Sequence, residues 1–438
     1  MDKVATMKKA AGKTQTALPP VRIEKMVHGG AGLGFAGGPV FIPLTAPGDL
    51  VVPAAVRRAK GVLFAEPAEY LEYSPHRIQP PCPWFGECGG CQWMHLNYSH
   101  QMTQKETIVL ETLARIGKLR EPEISTIHSS PLELAYRHRA RLHIKAGEAG
   151  FFRRRSNTIV TWDHCILLPE SLNRAVSALR SIISGNSLFH GMRSCEMAAS
   201  TGDGELTFLW NLGRNPDHGQ DLHKAVDDLE SSLEAAGLRI VGQAVRDFEG
   251  AELIRLGAAL ELEVAGARLR ASPGAFFQVN PWINQVVVGR VIRLLRSRGV
   301  SRILDLFCGN GNFSVPAARQ GITADGVDSD PAAVRDASAA ACEGCRFHAM
   351  DVECFLNDKV KIWDAVLVDP PRTGLPTGVT GRLIKMKIGV LVYISCEPAT
   401  LARDLARLWE GGYRIRNIEL FDMFPQTSHV EIMVEMGR

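Results

Sequence analysis

RILDLFCGNGNF, residues 302–313, runs an apolar, strand-like segment straight into a Gly-x-Gly turn, and SVPAARQG continues as a helix. Gly309 and Gly311 let the backbone approach a ligand closely. Asp328 closes the next strand-like segment, ITADGVD, where an acid can hydrogen-bond two ribose hydroxyls. From residue 285 to the end, strands and helices alternate regularly: VSRILDLF, ITADGVD, CRFHAMD, WDAVLVD and VLVYISC are the strand candidates. This predicts a doubly wound, Rossmann-like sheet with its ligand crevice at the strand carboxyl ends. Two details argue against a dinucleotide. Ser314 stands where a third glycine would be, and YRIRNIELFDMFPQTSHVEIMVEM reads as a terminal pair of strands that places an antiparallel strand at the sheet edge. Both fit a fold that binds S-adenosylmethionine, which has no pyrophosphate to cradle. Asp351 then falls near the adenine amino group, and Asp369-Pro370-Pro371 beside the methyl donor.

VLVYISCEPATLARDL places Cys396 just after an apolar strand, with Pro398 suited to the first turn of the following helix. A thiol near a helix N-terminus has its thiolate favoured by the dipole and the unbonded N–H groups. An isolated cysteine at a strand end is usually just buried; here the strand end faces the donor crevice. Methylation of uracil explains why a thiol is needed. Carbon 5 is a poor nucleophile until a thiolate adds at carbon 6. A base must then remove the carbon 5 proton so that elimination releases the enzyme. Glu431 opens the last strand and is the candidate base. Glu435 shares its strand face, and His429 is a lesser candidate for contacting substrate.

The rest of the chain is organised differently. Its 438 residues, 45% hydrophobic and 22% charged, suit several soluble domains. No run of 18 or more apolar residues predicts a membrane helix. Residues 1–18 carry lysines without an apolar core and read as a basic disordered tail rather than a signal peptide. Residues 19–76 read as short strands with turn residues, a small β-barrel. A helix follows at about 97–117, and residues 125–265 mix strands and helices. RHRARLHIKAGEAGFFRRR at 137–155 is strongly basic. A solvated face is the bland reading. Alternation sets Arg137, Arg139 and Arg141 on one strand face, and Arg153, Arg154 and Arg155 follow a turn, so a contact with phosphate backbone is favoured. The net charge of +3 does not reveal this local concentration.

CPWFGECGGCQW, residues 82–93, packs Cys82, Cys88 and Cys91 together. In a cytoplasmic protein such a cluster suits a metal better than disulfides. Spacing alone leaves zinc and a four-iron cluster open.

With DLFCGNGNF, DPPRTGL, SCEPATLARDL and SHVE in order, the chain resembles the RNA 5-methyluridine methyltransferases. ASPGAFFQVN at 271–280 extends the likeness upstream. The resemblance implies donor contacts from Gln278, Phe307, Asn312, Asp328, Asp351 and Asp369, beside Gly309 and Gly311. It implies Cys396 as nucleophile and Glu431 as base. Residues 19–76 resemble the family's RNA-binding TRAM barrel. CPWFGECGGCQ resembles the iron–sulfur motif of the bacterial 23S rRNA (uracil-5-)-methyltransferase branch. That branch takes its fourth cysteine from beyond a GFFRR-type stretch, which implies Cys165 as the last ligand of a [4Fe-4S] cluster. The domains expected are therefore residues 19–76, a central α+β iron–sulfur and RNA-binding domain at 77–270, and a catalytic domain at 271–438. Helix 93–124 is expected to pack with the last of these. One departure is Glu397, where many relatives have Asn; like-charge repulsion from it would raise the thiol pKa.

The expectation is a cytoplasmic, monomeric enzyme that methylates carbon 5 of a uridine in RNA, 23S rRNA before tRNA, with no membrane partner. Flipping of the target base follows from the need to reach both sides of the uracil. Amino-group methyltransferases place an aromatic after Asn/Asp-Pro-Pro; Arg372 stands there instead. A radical enzyme would need different cysteine spacing. A non-catalytic RNA-binding or ribosome-assembly protein would bind the donor without transferring methyl.

Overall fold

A computed structural model describes residues 18–185, 191–214, 222–358 and 362–438. The lysine-containing tail expected at 1–18 lies outside them but for Leu18. The chain divides into two compact units: residues 1–86, 91–108 and 426–428, and residues 87–90, 109–425 and 429–438. No described helix is long and apolar enough to cross a membrane.

In the first unit, β1 (Val21–Met26), β2 (Gly32–Phe35), β3 (Pro39–Ile42), β4 (Leu50–Ala59) and β5 (Val62–Glu72) close into a barrel of order β1-β2-β3-β5-β4. Alternation along the strands turns Val21, Ile23, Val40, Ile42, Val51 and Leu63 inward. The helix α1 (Tyr98–Arg115) contributes its residues up to Ile108 to this unit. Its Gln104 side chain accepts from the Met26 N–H at 3.0 Å, and Gln101 exchanges hydrogen bonds with Gln426.

The second unit holds two large sheets. The first uses β7 (Arg139–Lys145), β8 (Glu148–Phe152), β9 (Ile159–Val160), β10 (Met192–Ala199), β11 (Glu205–Leu212), β12 (Arg239–Arg246) and β13 (Glu252–Gly257), in the order β13-β12-β11-β10-β7-β8-β9. Only β11 and β12 pair in parallel. Helices α2 (Glu170–Gly185) and α3 (Leu222–Ala235) accompany it. A hairpin, β14 (Leu260–Val264) and β15 (Ala267–Ala271), leads to α4 (Pro281–Ser297), which Asn280 caps by accepting from the Ile283 N–H.

The second sheet is the expected doubly wound one. Its strands are β6 (Thr126–His128), β16 (Arg302–Leu306), β17 (Thr323–Asp328), β18 (Cys345–Ala349), β19 (Ala365–Val368), β20 (Val390–Ser395), β21 (Arg414–Phe421) and β22 (Glu431–Gly437), ordered β18-β17-β16-β19-β20-β22-β21-β6. Helices α5 (Ser314–Arg319), α6 (Pro331–Ala340), α7 (Val352–Asp358), α8 (Thr377–Met386) and α9 (Pro398–Glu410) connect them. β16 to β20 run parallel; β16, β17, β19 and β20 are largely buried, while β18 at the edge is half exposed. The antiparallel strand is not at the edge, as the sequence suggests. β22 inserts between β20 and β21, and β6 pairs in parallel with β21 to form the edge. Three residues some three hundred positions upstream supply that edge, so no local pattern announces it. Val109 and Leu113, from the end of α1, pack in this sheet's core.

Candidate active site

Four parallel strands end along one side of the sheet, and each end delivers a side chain to an open cavity of about 580 Å³. Phe307 follows β16, Asp328 ends β17, Asp369 follows β19 and Cys396 follows β20. Glu431 reaches the same cavity from β22, and Gln278 and Asn312 line it as well.

The turn after β16 is built for close approach. Phe307 has φ 64°, a strained value for a side chain this large, and Gly309 and Gly311 have φ 53° and 84°. A Cβ on Gly311 would lie 2.9 Å from Val315 Cγ2. The Asp328 carboxylate organises this end by accepting from the Gly309 N–H at 2.9 Å and the Asp330 N–H at 2.8 Å. Asn312 is held by a reciprocal amide pair with Asn284 of α4, at 2.8 and 3.1 Å. Ser314, in the place of a third glycine, donates to buried Asp305 at 2.6 Å. Asp351 is not among the cavity-lining residues; it caps α7 by accepting from the Cys354 N–H.

The reacting end carries an unusual charge arrangement. Burial pushes Asp369 up to about 7, with Asp305 and Asp328 adding repulsion. Asp305 is likewise raised to about 7, chiefly by burial. Glu431 is held well above the ordinary carboxylate range by burial and by Asp369. Cys396 is pushed up to about 12, first by burial and then by Glu431, while Arg372 opposes the shift through its charge and a hydrogen bond. The helix-terminus stabilisation expected for this thiol is therefore outweighed by desolvation. The like charges that raise the thiol are Glu431 and, after it, Asp369. Glu397 sits at the N-cap of α9 in extended backbone, its N–H donating to Ser395 Oγ at 3.1 Å.

Sequence reasoning takes Arg372 only as the residue that displaces a stacking aromatic. The structure makes it a cation that acts favourably on both the Cys396 and Glu431 anions. Its backbone is fastened to the helix behind the nucleophile. Thr400 Oγ1 donates to the Arg372 carbonyl at 3.0 Å, Arg403 donates to the Thr373 carbonyl at 3.0 Å, and the Leu375 N–H donates to Asp404 at 2.7 Å. Its place one residue after Asp-Pro-Pro, opposite a strand-end thiol, is the signal that could have found it.

Two other candidates sit apart from the cavity lining. Glu435 is buried in an ion pair with Arg298, 2.7 Å, and Arg416, 3.7 Å, a structural role. His429 packs edge-on against Phe424.

The basic segment is partly neutralised. Arg139 and Arg141 lie on one face of β7, and both bind Glu196 of β10, at 3.1 and 2.6 Å. Arg137 precedes the strand and lies over Phe151. Arg153 pairs with Glu87 at 3.0 Å, and Arg155 is exposed with φ 53°. Arg154 is half-buried, its N–H donating to the Glu87 carbonyl.

No group of three or more metal-ligating side chains gathers among the described residues. Cys82 and Cys91 belong to the first unit, Cys88 and Cys165 to the second. Cys165 is raised by burial foremost, with Cys88 close enough to add to the shift.

The chain matches the sequence model of the tRNA (uracil-5-)-methyltransferases over residues 97–325 and 336–438. It is 34% identical to the 23S rRNA (uracil(1939)-C(5))-methyltransferase RlmD of Azoarcus sp., covering 94% of this chain and 98% of that one. An uncharacterised RNA methyltransferase of Aquifex aeolicus is 32% identical over 93% of this chain and 96% of its own. Among solved structures, the tRNA (uracil-54, C5)-methyltransferase of Pyrococcus abyssi, in complex with S-adenosyl-L-homocysteine, superposes with a TM-score of 0.75 at 25% identity, covering 95% of this chain and all, 100%, of that one. The chain belongs to the tRNA (uracil-5-)-methyltransferase family.

Proposed function

We propose that this protein methylates carbon 5 of a uridine in RNA, taking the methyl group from S-adenosylmethionine, and that its substrate is 23S rRNA. The single observation that carries the reading is the cavity in which a strand-end thiol, a buried carboxylic acid and an arginine share space with the nucleoside-binding turn. Acidic residues near the reacting end, Asp369 foremost, suit a cationic sulfonium donor. When bound, the donor supplies an electrophilic methyl group. Gln278, Phe307, Asn312 and Asp328 would hold it.

Cys396 adds as a thiolate to carbon 6 of the uracil, which makes carbon 5 nucleophilic toward the methyl group. Glu431 then takes the carbon 5 proton, and elimination returns the thiolate. The two acids disfavour each other's ionisation, so their anionic states fit successive steps. Cys396 is the anion when it attacks. Once sulfur is a neutral thioether, Glu431 is relieved of that repulsion, gives up its own proton to solvent and can act as base. Its raised pKa makes it a stronger base for carbon-bound hydrogen. Arg372 compensates whichever anion is present.

The 23S rRNA assignment is supported by the RlmD relatives of Azoarcus sp. and of Chromohalobacter salexigens, the latter 32% identical. A tRNA substrate is the second reading, favoured by the Pyrococcus abyssi structure, whose protein acts on uracil 54 of tRNA. Mapping 5-methyluridine in 23S rRNA and tRNA from a deletion strain tests both. Loss of one rRNA site is expected; loss confined to tRNA establishes the second reading, and no loss in either contradicts the activity.

We further propose that Cys82, Cys88, Cys91 and Cys165 hold a [4Fe-4S] cluster. The donor set supports it: four thiols, none in a disulfide, suit four-iron ligation. Its role would be a structural staple rather than a redox catalyst. The closed barrel is proposed as the TRAM-type RNA-binding module.

A further inference from the structure

Phe276 stands between the buried residues Ala275 and Phe277, yet is itself 61% exposed. A single exposed phenylalanine is unremarkable on most surfaces. This one lines the cavity that holds Cys396 and Glu431. The guanidinium of Arg139, from the basic strand β7, lies 5.3 Å from its ring centroid. Glu196, on the neighbouring strand β10, holds that guanidinium at 3.1 Å. One ring face is thus occupied by a positioned cation, and the exposed remainder is a flat apolar surface at the cavity rim.

An aromatic ring beside an ordered arginine is the chemistry that receives an unstacked nucleobase. Extruding a uridine leaves its neighbour in the strand without a stacking partner, at a cost of the same kind that the ring can offset. We propose that Phe276, backed by Arg139, is a stacking platform for the nucleobase adjacent to the target uridine, so that the protein recognises a short single-stranded RNA segment rather than one base. The inference rests on the proposed RNA methylation.

The test measures the Kd of a 23S rRNA transcript, with S-adenosylhomocysteine present, for the wild type and for Phe276→Ala, Phe276→Leu, Phe276→Tyr and Phe276→Trp. Phe276→Ala and Phe276→Leu are expected to weaken RNA binding about 5- to 150-fold. Phe276→Tyr and Phe276→Trp should stay within about threefold of the wild type, since a π face rather than bulk is required. Affinity for S-adenosylhomocysteine, measured by calorimetry, should change less than about twofold in all four, because an exposed ring supports no core packing. Equal RNA affinity in Phe276→Ala and wild type, or full rescue by Phe276→Leu, overturns the platform. Because Kd needs no turnover, this result stands apart from the proposed reaction, which fails only if the wild type forms no 5-methyluridine in 23S rRNA or tRNA transcripts.

Discussion

Replacing Arg372 by methionine removes the positive charge beside Cys396 while keeping a chain of similar length. A positive charge stabilises the thiolate, so its loss raises the thiol pKa further and leaves less nucleophile at any given pH. Burial and Glu431 already hold the wild-type thiol well above its ordinary value, so the thiolate is a minor species near neutral pH. A hydrogen bond to a charged group contributes roughly 1.5–3 kcal/mol. At about 1.4 kcal/mol per unit, its loss raises the pKa by about one to two units. Alkylation of Cys396 by iodoacetamide reads this directly, with the modified peptide quantified by mass spectrometry so that the other cysteines do not interfere. Below the pKa the rate rises tenfold per pH unit. The Arg372→Met line should therefore run parallel to the wild-type line, displaced downward about 10- to 100-fold, and Arg372→Lys should fall between them because it keeps the charge. Coincident lines for wild type and Arg372→Met would refute the assignment of Arg372 to the thiolate.

Glu431→Gln should still form the bond to carbon 6 and accept the methyl group, but accumulate a covalent protein–RNA complex on unmodified RNA, visible on denaturing gels; rapid turnover by this variant removes Glu431 from the role of base. Gly311→Ala forces a side chain onto φ 84° and against Val315, which should cost about 1–3 kcal/mol and shift the chemical denaturation midpoint down; an unchanged midpoint would show that the turn relaxes freely. Anaerobic purification should yield a brown protein with about four irons, lost in a Cys88→Ser, Cys165→Ser double variant. A colourless protein with one zinc would replace the cluster by a zinc site.

Much of the site is legible because it is local. Phe307, Asp328, Asp369 and Cys396 all sit at ends of buried apolar strands, and a parallel sheet brings such ends together by construction. The closed barrel is readable for a similar reason, in short alternating strands broken by glycine. What the chain conceals depends on partners far away in sequence. Glu196 binds Arg139 and Arg141 from 57 and 55 residues away, so an apparently open basic face is half compensated. The internal place of β22 follows from β21 pairing outside it, with β6 beyond at the edge, an order no periodicity expresses. Electrostatics is the least legible. Helix position argues for an activated thiolate, but burial depends on the packing of every neighbour, and it pushes Cys396 the other way. Asp351 carries a task its strand-end position does not announce: its carboxylate accepts from the Cys354 N–H in the first turn of α7.

Covalent capture by Cys396 is the claim on which the rest depends. The direct measurement is incubation of the purified protein and S-adenosylmethionine with 23S rRNA transcribed with 5-fluorouridine in place of uridine. Fluorine cannot leave as a proton does, so elimination is blocked after methyl transfer. The account predicts a complex stable to denaturation, with a tryptic peptide containing Cys396 linked to methylated fluorouridine, and no such complex from Cys396→Ala. Full methylation of ordinary RNA by Cys396→Ala, or a link through another residue, would contradict it.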